Sequence, residues 1–131
     1  MSSTDHDLQQ HPVFKQLLGI QLTWLHNVEQ SGHLHSRGEE QVLANTAWSF
    51  AVLRVEDGTL FSSIAAASIP KMHYFQPQHL SNMAWAIAIL DKANEPILQA
   101  IASSSIPTMP AFKPVDIANT VWAFANISFN N

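Results

Sequence analysis

The sequence predicts an all-α fold, an α-solenoid of antiparallel helix pairs with a 37-residue repeat. Three observations lead to this prediction. Three of the four tryptophans lie at positions 48, 85 and 122, so both intervals are 37 residues. Apolar side chains recur at helical spacing, with prolines and cap residues at the expected starts and ends of helices. No stretch of the sequence shows the alternating pattern of a strand.

The repeat is visible without any gap. Residues 41–77 and 78–114 are identical at 15 of 37 positions, and a third copy keeps Asn119, Trp122 and Ala125 in phase. Similarity at a fixed period is the signature of a repeat architecture. We therefore divide the chain into a disordered N-terminal tail, a degraded repeat or cap with its loop, two full repeats, and a truncated third repeat that has only its first helix. The tail is residues 1–12, and the degraded repeat or cap with its loop is residues 13–40. The two full repeats are residues 41–77 and 78–114, and the truncated repeat is residues 115–131.

The first helix of the second repeat is predicted from about Gln78 to Leu90, because Pro77 suits a helix entrance. Apolar residues cover most of its circumference, which implies burial on several sides. Stacked repeats require such burial. We expect its tryptophan, Trp85, to pack in the core together with Trp48 and Trp122. The alternative is that the tryptophans are stacking platforms for nucleobases.

The second helix is predicted from about Glu95 to Ser105, with Asn94 as its N-cap and Asp57 at the same place one repeat earlier. A Ser-Ile-Pro sequence is expected to end this helix in both repeats, because the residue before proline avoids the helical region. The inward stripe and the linker residues expected to fill the core between repeats are Ile97, Leu98, Ile101, Ala102, Met72, Phe75, Met109 and Phe112. One more helix is predicted upstream, from Val13 to Gln30.

Composition limits the possible functions. Hydrophobic residues make up 47% of the chain, charged residues 12%, and the net charge is −4. The absence of a broad cationic field counts against sequence-independent nucleic-acid binding. With no cysteine, disulfides and thiolate zinc sites are excluded. The first residues resemble neither a secretory signal nor a transit peptide, and no apolar run is long enough to cross a membrane.

No motif for catalysis or for a cofactor is present. The sequence contains no nucleophile elbow, phosphate-binding glycine loop or zinc-protease motif, so we expect neither an enzyme nor a cofactor. His26, His33 and His35 lie close together in sequence. They have no cysteine or carboxylate at ligand spacing, so we interpret them as surface polar residues rather than metal ligands.

An asparagine precedes each repeated tryptophan by three residues, as Asn45, Asn82 and Asn119. Two interpretations remain open. These amides could form a buried hydrogen-bonded ladder between repeats. Alternatively, they could line a groove together with Gln41 and Gln78 and offer donors and acceptors to a base edge.

Positions that differ between repeats are better candidates for selectivity, because an identical residue cannot distinguish one base from another. One such column holds Val42, His79 and Asp116, and a second holds Thr46, Met83 and Thr120. We expect His79 and Asp116 to face the groove. The alternative is that both columns are simply exposed and free to vary.

The segments Leu-Ser-Asn-Met-Ala-Trp-Ala-Ile-Ala-Ile-Leu at 80–90 and Ile-Ala-Asn-Thr-Val-Trp-Ala-Phe-Ala-Asn-Ile at 117–127 resemble the first helix of octotricopeptide and heptatricopeptide repeats. The period of 37 residues is similar to the heptatricopeptide type. The resemblance implies single-stranded RNA binding in a mitochondrion or chloroplast, in transcript processing, stability or translation.

Two features depart from those families. The chain has only six basic residues, and it lacks a visible organelle-targeting segment. A solenoid also needs polar caps. We therefore expect either a fragment of a longer solenoid or self-association through the truncated C-terminal repeat. The alternative function is a protein-interaction scaffold without RNA contact.

Overall fold

The computed structural model describes residues 9–31, 36–55, 58–90 and 95–130, and within these ranges there are six α-helices and no strands. The helices, numbered along the chain, are α1 (Pro12–Gln30), α2 (Glu39–Val52), α3 (Gly58–Ser68), α4 (Pro77–Ile89), α5 (Glu95–Thr108) and α6 (Pro114–Asn130). Two 3₁₀ helices lie at Ile69–Tyr74 and Met109–Ala111. The predicted all-α class is confirmed.

Prolines set the starts of three helices. Pro12, Pro77 and Pro114 each open a helix, where the missing N–H is not needed by the hydrogen-bond ladder. The starts of α4 and α6 are 37 residues apart, as are those of α3 and α5. The predicted caps Asp57 and Asn94 lie outside the described residues, as does most of the predicted tail.

The prediction that Ser-Ile-Pro ends the second helix is confirmed at Ser68, where α3 ends, and is wrong at Ser105. The α5 helix continues through Pro107 to Thr108, and after α3 the chain continues directly as a 3₁₀ helix. The Thr108 hydroxyl donates to the carbonyls of Ser104 (2.9 Å) and Ser105 (3.3 Å). These carbonyls belong to the last turn of α5, where the backbone supplies few donors, so the hydroxyl helps to satisfy the end of the helix.

The helices form two layers. In the front layer α2 packs against α4 and α4 packs against α6. In the back layer α1 packs against α3, while α3 and α5 each pack against the front-layer helix that precedes them in the chain. The core fills the space between the layers, and its fully buried side chains include Leu25, Leu43, Leu60, Leu80, Met83, Ile87, Ile97 and Ile101.

Matched residues differ in burial between the two ends of the back layer. Met72 is 1% exposed, but Met109, the matched residue 37 positions later, is 54% exposed. Ala65 is buried and Ala102 is exposed. The predictions that Met109 fills the core and that Ala102 faces inward are therefore wrong. The physical reason is that the described residues place no back-layer helix beyond α5 to cover them.

Candidate nucleic-acid interface

The front layer carries repeated asparagines and tryptophans on its outer side. Residues spaced by four and then three positions share one face of a helix. This spacing aligns a glutamine, an asparagine and a tryptophan on α2 and α4, and an asparagine and a tryptophan on α6. We call this surface the Asn–Trp face; its residues are Gln41, Asn45, Trp48, Gln78, Asn82, Trp85, Asn119 and Trp122.

The tryptophans of this face are not core residues. Trp48 is 44% exposed and Trp122 is 42% exposed, while Trp85 is half-buried. The rings of Trp48 and Trp85 lie against each other, with centroids 6.2 Å apart and planes tilted by 31°. The prediction of core packing is therefore wrong for Trp48 and Trp122. Both side chains are instead partly open to solvent.

A groove runs between the first turns of α4 and α6. Its volume is about 540 Å³, and it is lined by Gln76, Pro77, Gln78, Asn82, Ala111, Lys113, Val115, Asp116 and Asn119. Four of the seven predicted binding residues, namely Gln78, Asn82, Asp116 and Asn119, thus line one groove. The amides of Asn82 and Asn119 are both half-buried in it. Each amide offers two N–H donors and one oxygen acceptor to a ligand.

Two predicted residues on α2 lie elsewhere on the same face. Gln41 and Asn45 are exposed. Asn45 lines a second groove between α1 and α2, which is mostly apolar and has a volume of about 490 Å³. The structure therefore places four candidates in a polar groove at α4–α6 and Asn45 in an apolar groove at α1–α2, while Gln41 and His79 line neither.

His79 has a capping role rather than a position in the polar groove lining. Its Nδ1 accepts a hydrogen bond from the backbone N–H of Gln76 (3.2 Å), and the Gln76 side chain completes a reciprocal capping box at the start of α4. The ring also makes an edge contact with Phe75. Partial burial lowers the pKa of His79 from its ordinary value of 6.5, and the nearby Glu40 carboxylate opposes this shift.

Asp116 occupies the same position at the start of α6 and also caps its helix. Its Oδ2 accepts from the Lys113 backbone N–H (3.0 Å), and its Oδ1 lies 3.5 Å from the Ser81 hydroxyl. A carboxylate in the first turn is further stabilised by the helix dipole. Asp116 lines the groove, yet it is buried and its oxygens already have partners. The variation between His79 and Asp116 therefore has a structural explanation in capping.

Sequence reasoning missed Lys113 and Gln76 as groove residues. Each precedes the proline that opens a front-layer helix, and this position is the signal that could have identified them. Lys113 is exposed and supplies a positive charge beside the two amides. Lys71, another basic residue among those described, is buried against Glu39.

The described residues contain neither a cluster of metal ligands nor a helix suited to span a membrane. Across the described ranges, no three histidine, aspartate or glutamate residues lie close enough together to hold a metal ion. His33 and His35 lie outside the described residues. In the part of the chain that the structure describes, no helix combines the length and apolarity needed to cross a membrane.

Comparison of the chain with protein-family models, curated proteins and solved structures found no match.

Proposed function

We propose that this chain is a helical-repeat module, an α-solenoid, that binds single-stranded RNA on its Asn–Trp face. The observation that carries the proposal is the placement of two groove amides, Asn82 and Asn119, next to a row of partly exposed indoles. Aromatic rings stack on bases of any identity, and amides can pair with base edges. The bases of a single strand are free to make both contacts, and the resemblance of residues 80–90 and 117–127 to octotricopeptide and heptatricopeptide repeats favours RNA.

The layered arrangement supports the solenoid part of this proposal. Front-layer helices follow one another in chain order, and corresponding helices begin 37 residues apart. A stack of this kind presents the same side chains at regular intervals along one surface. A single strand could then meet an asparagine and a tryptophan on each successive helix.

The net charge determines the affinity and the salt dependence that we expect for RNA binding. With a net charge of −4, phosphate contacts contribute little, so stacking and hydrogen bonds must supply most of the affinity. We therefore propose modest affinity with a shallow dependence on salt. The resemblance of residues 80–90 and 117–127 to organellar repeat proteins supports the proposal of a role in RNA processing, stability or translation in a mitochondrion or chloroplast.

The test is binding to a pool of short single-stranded RNAs across a salt series, at protein concentrations near 1 µM. Replacing Trp48 by alanine is expected to weaken binding about fivefold or more, because stacking on one base contributes roughly 1 kcal/mol or more. We expect Asn82→Ala also to weaken binding. The matched controls are Tyr74→Ala, an exposed aromatic residue at the end of the first 3₁₀ helix, and Gln99→Ala, an exposed amide on α5.

Retention of RNA that is equal in all four variants would contradict the proposed face. No retention above a protein of equal size and charge, even at low salt, would contradict RNA binding itself.

The second candidate function is a protein-interaction scaffold. The apolar α1–α2 groove favours it, because exposed apolar side chains such as Leu17 and Ile20 on α1 form one wall of that groove. Apolar grooves between helices commonly accept an amphipathic helix. This function predicts no RNA retention and a loss of partner binding when the groove, rather than the Asn–Trp face, is altered.

A further inference from the structure

The front-layer helices pack in one consistent orientation. We call the side of each helix that meets the next front-layer helix its forward face, and the opposite side its rear face. The Ser81 hydroxyl on α4 lies 3.5 Å from Asp116 Oδ1 on α6. This contact places Ser81 on the forward face of α4 and Asp116 on the rear face of α6. Helical spacing then assigns the other residues of each face.

Forward faces are built from small residues. Ala44, Ala47 and Ala51 of α2 are buried, as are Ser81 and Ala84 of α4. The matched residues on α6 are Ala118, Val121 and Ala125, and all three are exposed; Val121 is 63% exposed. The forward face of α6 therefore has the composition of a helix-packing surface but no helix against it in the described residues.

Rear faces are buried on α4 and α6 and more open on α2, which is the reverse of the order seen for the forward faces. On α4, residues Met83, Ala86 and Leu90 are buried, and on α6 the matched Ala123 and Ile127 are buried. On α2 the matched positions are open: they line the apolar α1–α2 groove and are Val42, Thr46, Ser49 and Leu53. The rear face of α2 thus meets no front-layer helix among the described residues, although Gln21 donates to the Thr46 hydroxyl (2.8 Å) and Gln9 to the Leu53 carbonyl (2.7 Å) at its edge.

The back layer leaves a matching gap. Helix α3 packs against α2, and α5 packs against α4, so each has a front-layer helix before it. Helix α1 packs against α3 in the same layer, but no front-layer helix precedes it in the described residues. Its exposed Leu17 and Ile20 face the apolar groove. Conversely, no back-layer helix follows α6 among the described residues.

We infer that the occupant of the α1–α2 groove is helix α6 of a second copy of this chain. An α6 placed there would meet the rear face of α2 as α2 meets that of α4 within one molecule. Its other wall would be the first half of α1, which extends beyond the part of that helix matched by α3. The contact uses two different surfaces, so it is heterologous, and it joins copies head to tail. This inference does not depend on RNA binding.

Three further observations fit this occupant. The matched positions that would meet carry no charge on either side, so contact desolvates no ion. Trp85, with helices on both sides, is half-buried, whereas Trp48 and Trp122 at the two ends are more exposed. Docking would bring Trp122 beside Trp48 of the second copy. It would also bring α5 and the exposed Met109 of the following 3₁₀ helix toward α1 of that copy.

The test is sedimentation equilibrium of the full chain between roughly 1 µM and 1 mM, the range of weak to moderate association. The average mass of the wild-type chain is expected to rise with concentration beyond that of a dimer. Val121→Asp, on the forward face, and Ser49→Glu, on the rear face, are each expected to remain monomeric. Ser62→Glu, an exposed residue of α3 outside both faces, is expected to behave as wild type.

The decisive sample is an equimolar mixture of Val121→Asp and Ser49→Glu. The first variant keeps an intact groove and the second keeps an intact α6, so the mixture is expected to form species of two chains and nothing larger. Circular dichroism checks that each variant is folded. If Val121→Asp is not folded, Ala125→Glu is used in its place on the forward face of α6. If Ser49→Glu is not folded, Val42→Lys is used in its place on the rear face of α2.

A wild-type chain that stays monomeric up to about 1 mM would overturn the inference. Association that survives both substitutions, or a mixture that stays monomeric, would overturn it as well, because either result excludes the head-to-tail contact.

Discussion

A lysine is buried where the end of α1, the start of α2 and the first 3₁₀ helix meet. Lys71 is 1% exposed, with its Nζ 3.3 Å from Glu39 Oε2 and 3.2 Å from the Ser31 hydroxyl. Two charges removed from water must be paired to offset their desolvation. Sequence patterns did not predict this pair, because the matched position 37 residues later is Thr108.

We expect Lys71→Ala to lower the free energy of unfolding by about 3–5 kcal/mol, because it leaves the Glu39 carboxylate buried without a partner. The double variant Lys71→Met, Glu39→Leu is expected to lose much less, because neither charge remains. Urea denaturation measures both changes, and Lys15→Ala on the exposed side of α1 is the control. A loss below about 1 kcal/mol in Lys71→Ala would show that the pair contributes no more than a surface ion pair.

His79 links the stability of α4 to pH. Its neutral ring accepts the hydrogen bond from Gln76, and burial lowers its pKa below 6.5 in the folded chain. Below that pH the unfolded chain binds more protons than the folded one at this residue. The stability contribution of His79 is therefore complete above about pH 6.5 and is lost as the pH falls through the folded pKa.

We expect the free energy of unfolding to fall between pH 7 and pH 5, and His79→Asn to reduce that fall. An asparagine can still accept from the Gln76 N–H but does not titrate. Denaturation at several pH values is the measurement, and His73→Asn, at an exposed position, is the control. An equal pH dependence in wild type and His79→Asn would contradict the assignment.

At the scale of single elements, helix starts were predictable and the exposed faces were not. Local chemistry sets a start, so Pro77 and Pro114 located α4 and α6 within one residue. Burial depends on neighbours that may be distant in sequence. Met72 and Met109 occupy matched positions and differ in exposure because only one has a helix beyond it.

The candidate site shows the same contrast between what sequence spacing predicts and what depends on local structure. Gln78, Asn82, Asp116 and Asn119 line one groove, because matched positions on adjacent helices face the same way. The repeat spacing did not distinguish a side chain that points outward from one that turns back to cap its own helix. His79 and Asp116 are of the second kind. The 37-residue repeat and RNA binding remain predictions from sequence.

At the scale of the whole molecule, the two proposed surfaces are continuous with each other. Docking of α6 into the α1–α2 groove would place the Asn–Trp faces of successive copies in one row. A row of three tryptophans would then become a longer platform without any new residue. Short RNA would contact one copy, whereas long RNA would contact several copies that also hold one another.

We therefore expect RNA affinity to rise with RNA length more steeply in wild type than in a chain that cannot dock. Between about 8 and about 24 nucleotides, wild type is expected to gain at least tenfold in affinity, because the second copy binds at a high effective concentration. Val121→Asp is expected to bind the short RNA like wild type and to gain little with length. Fluorescence anisotropy with labelled RNAs of both lengths measures this. Equal length dependence in wild type and Val121→Asp would contradict this expectation. RNA binding and self-association would then be independent, because the continuous row of Asn–Trp faces is what couples them.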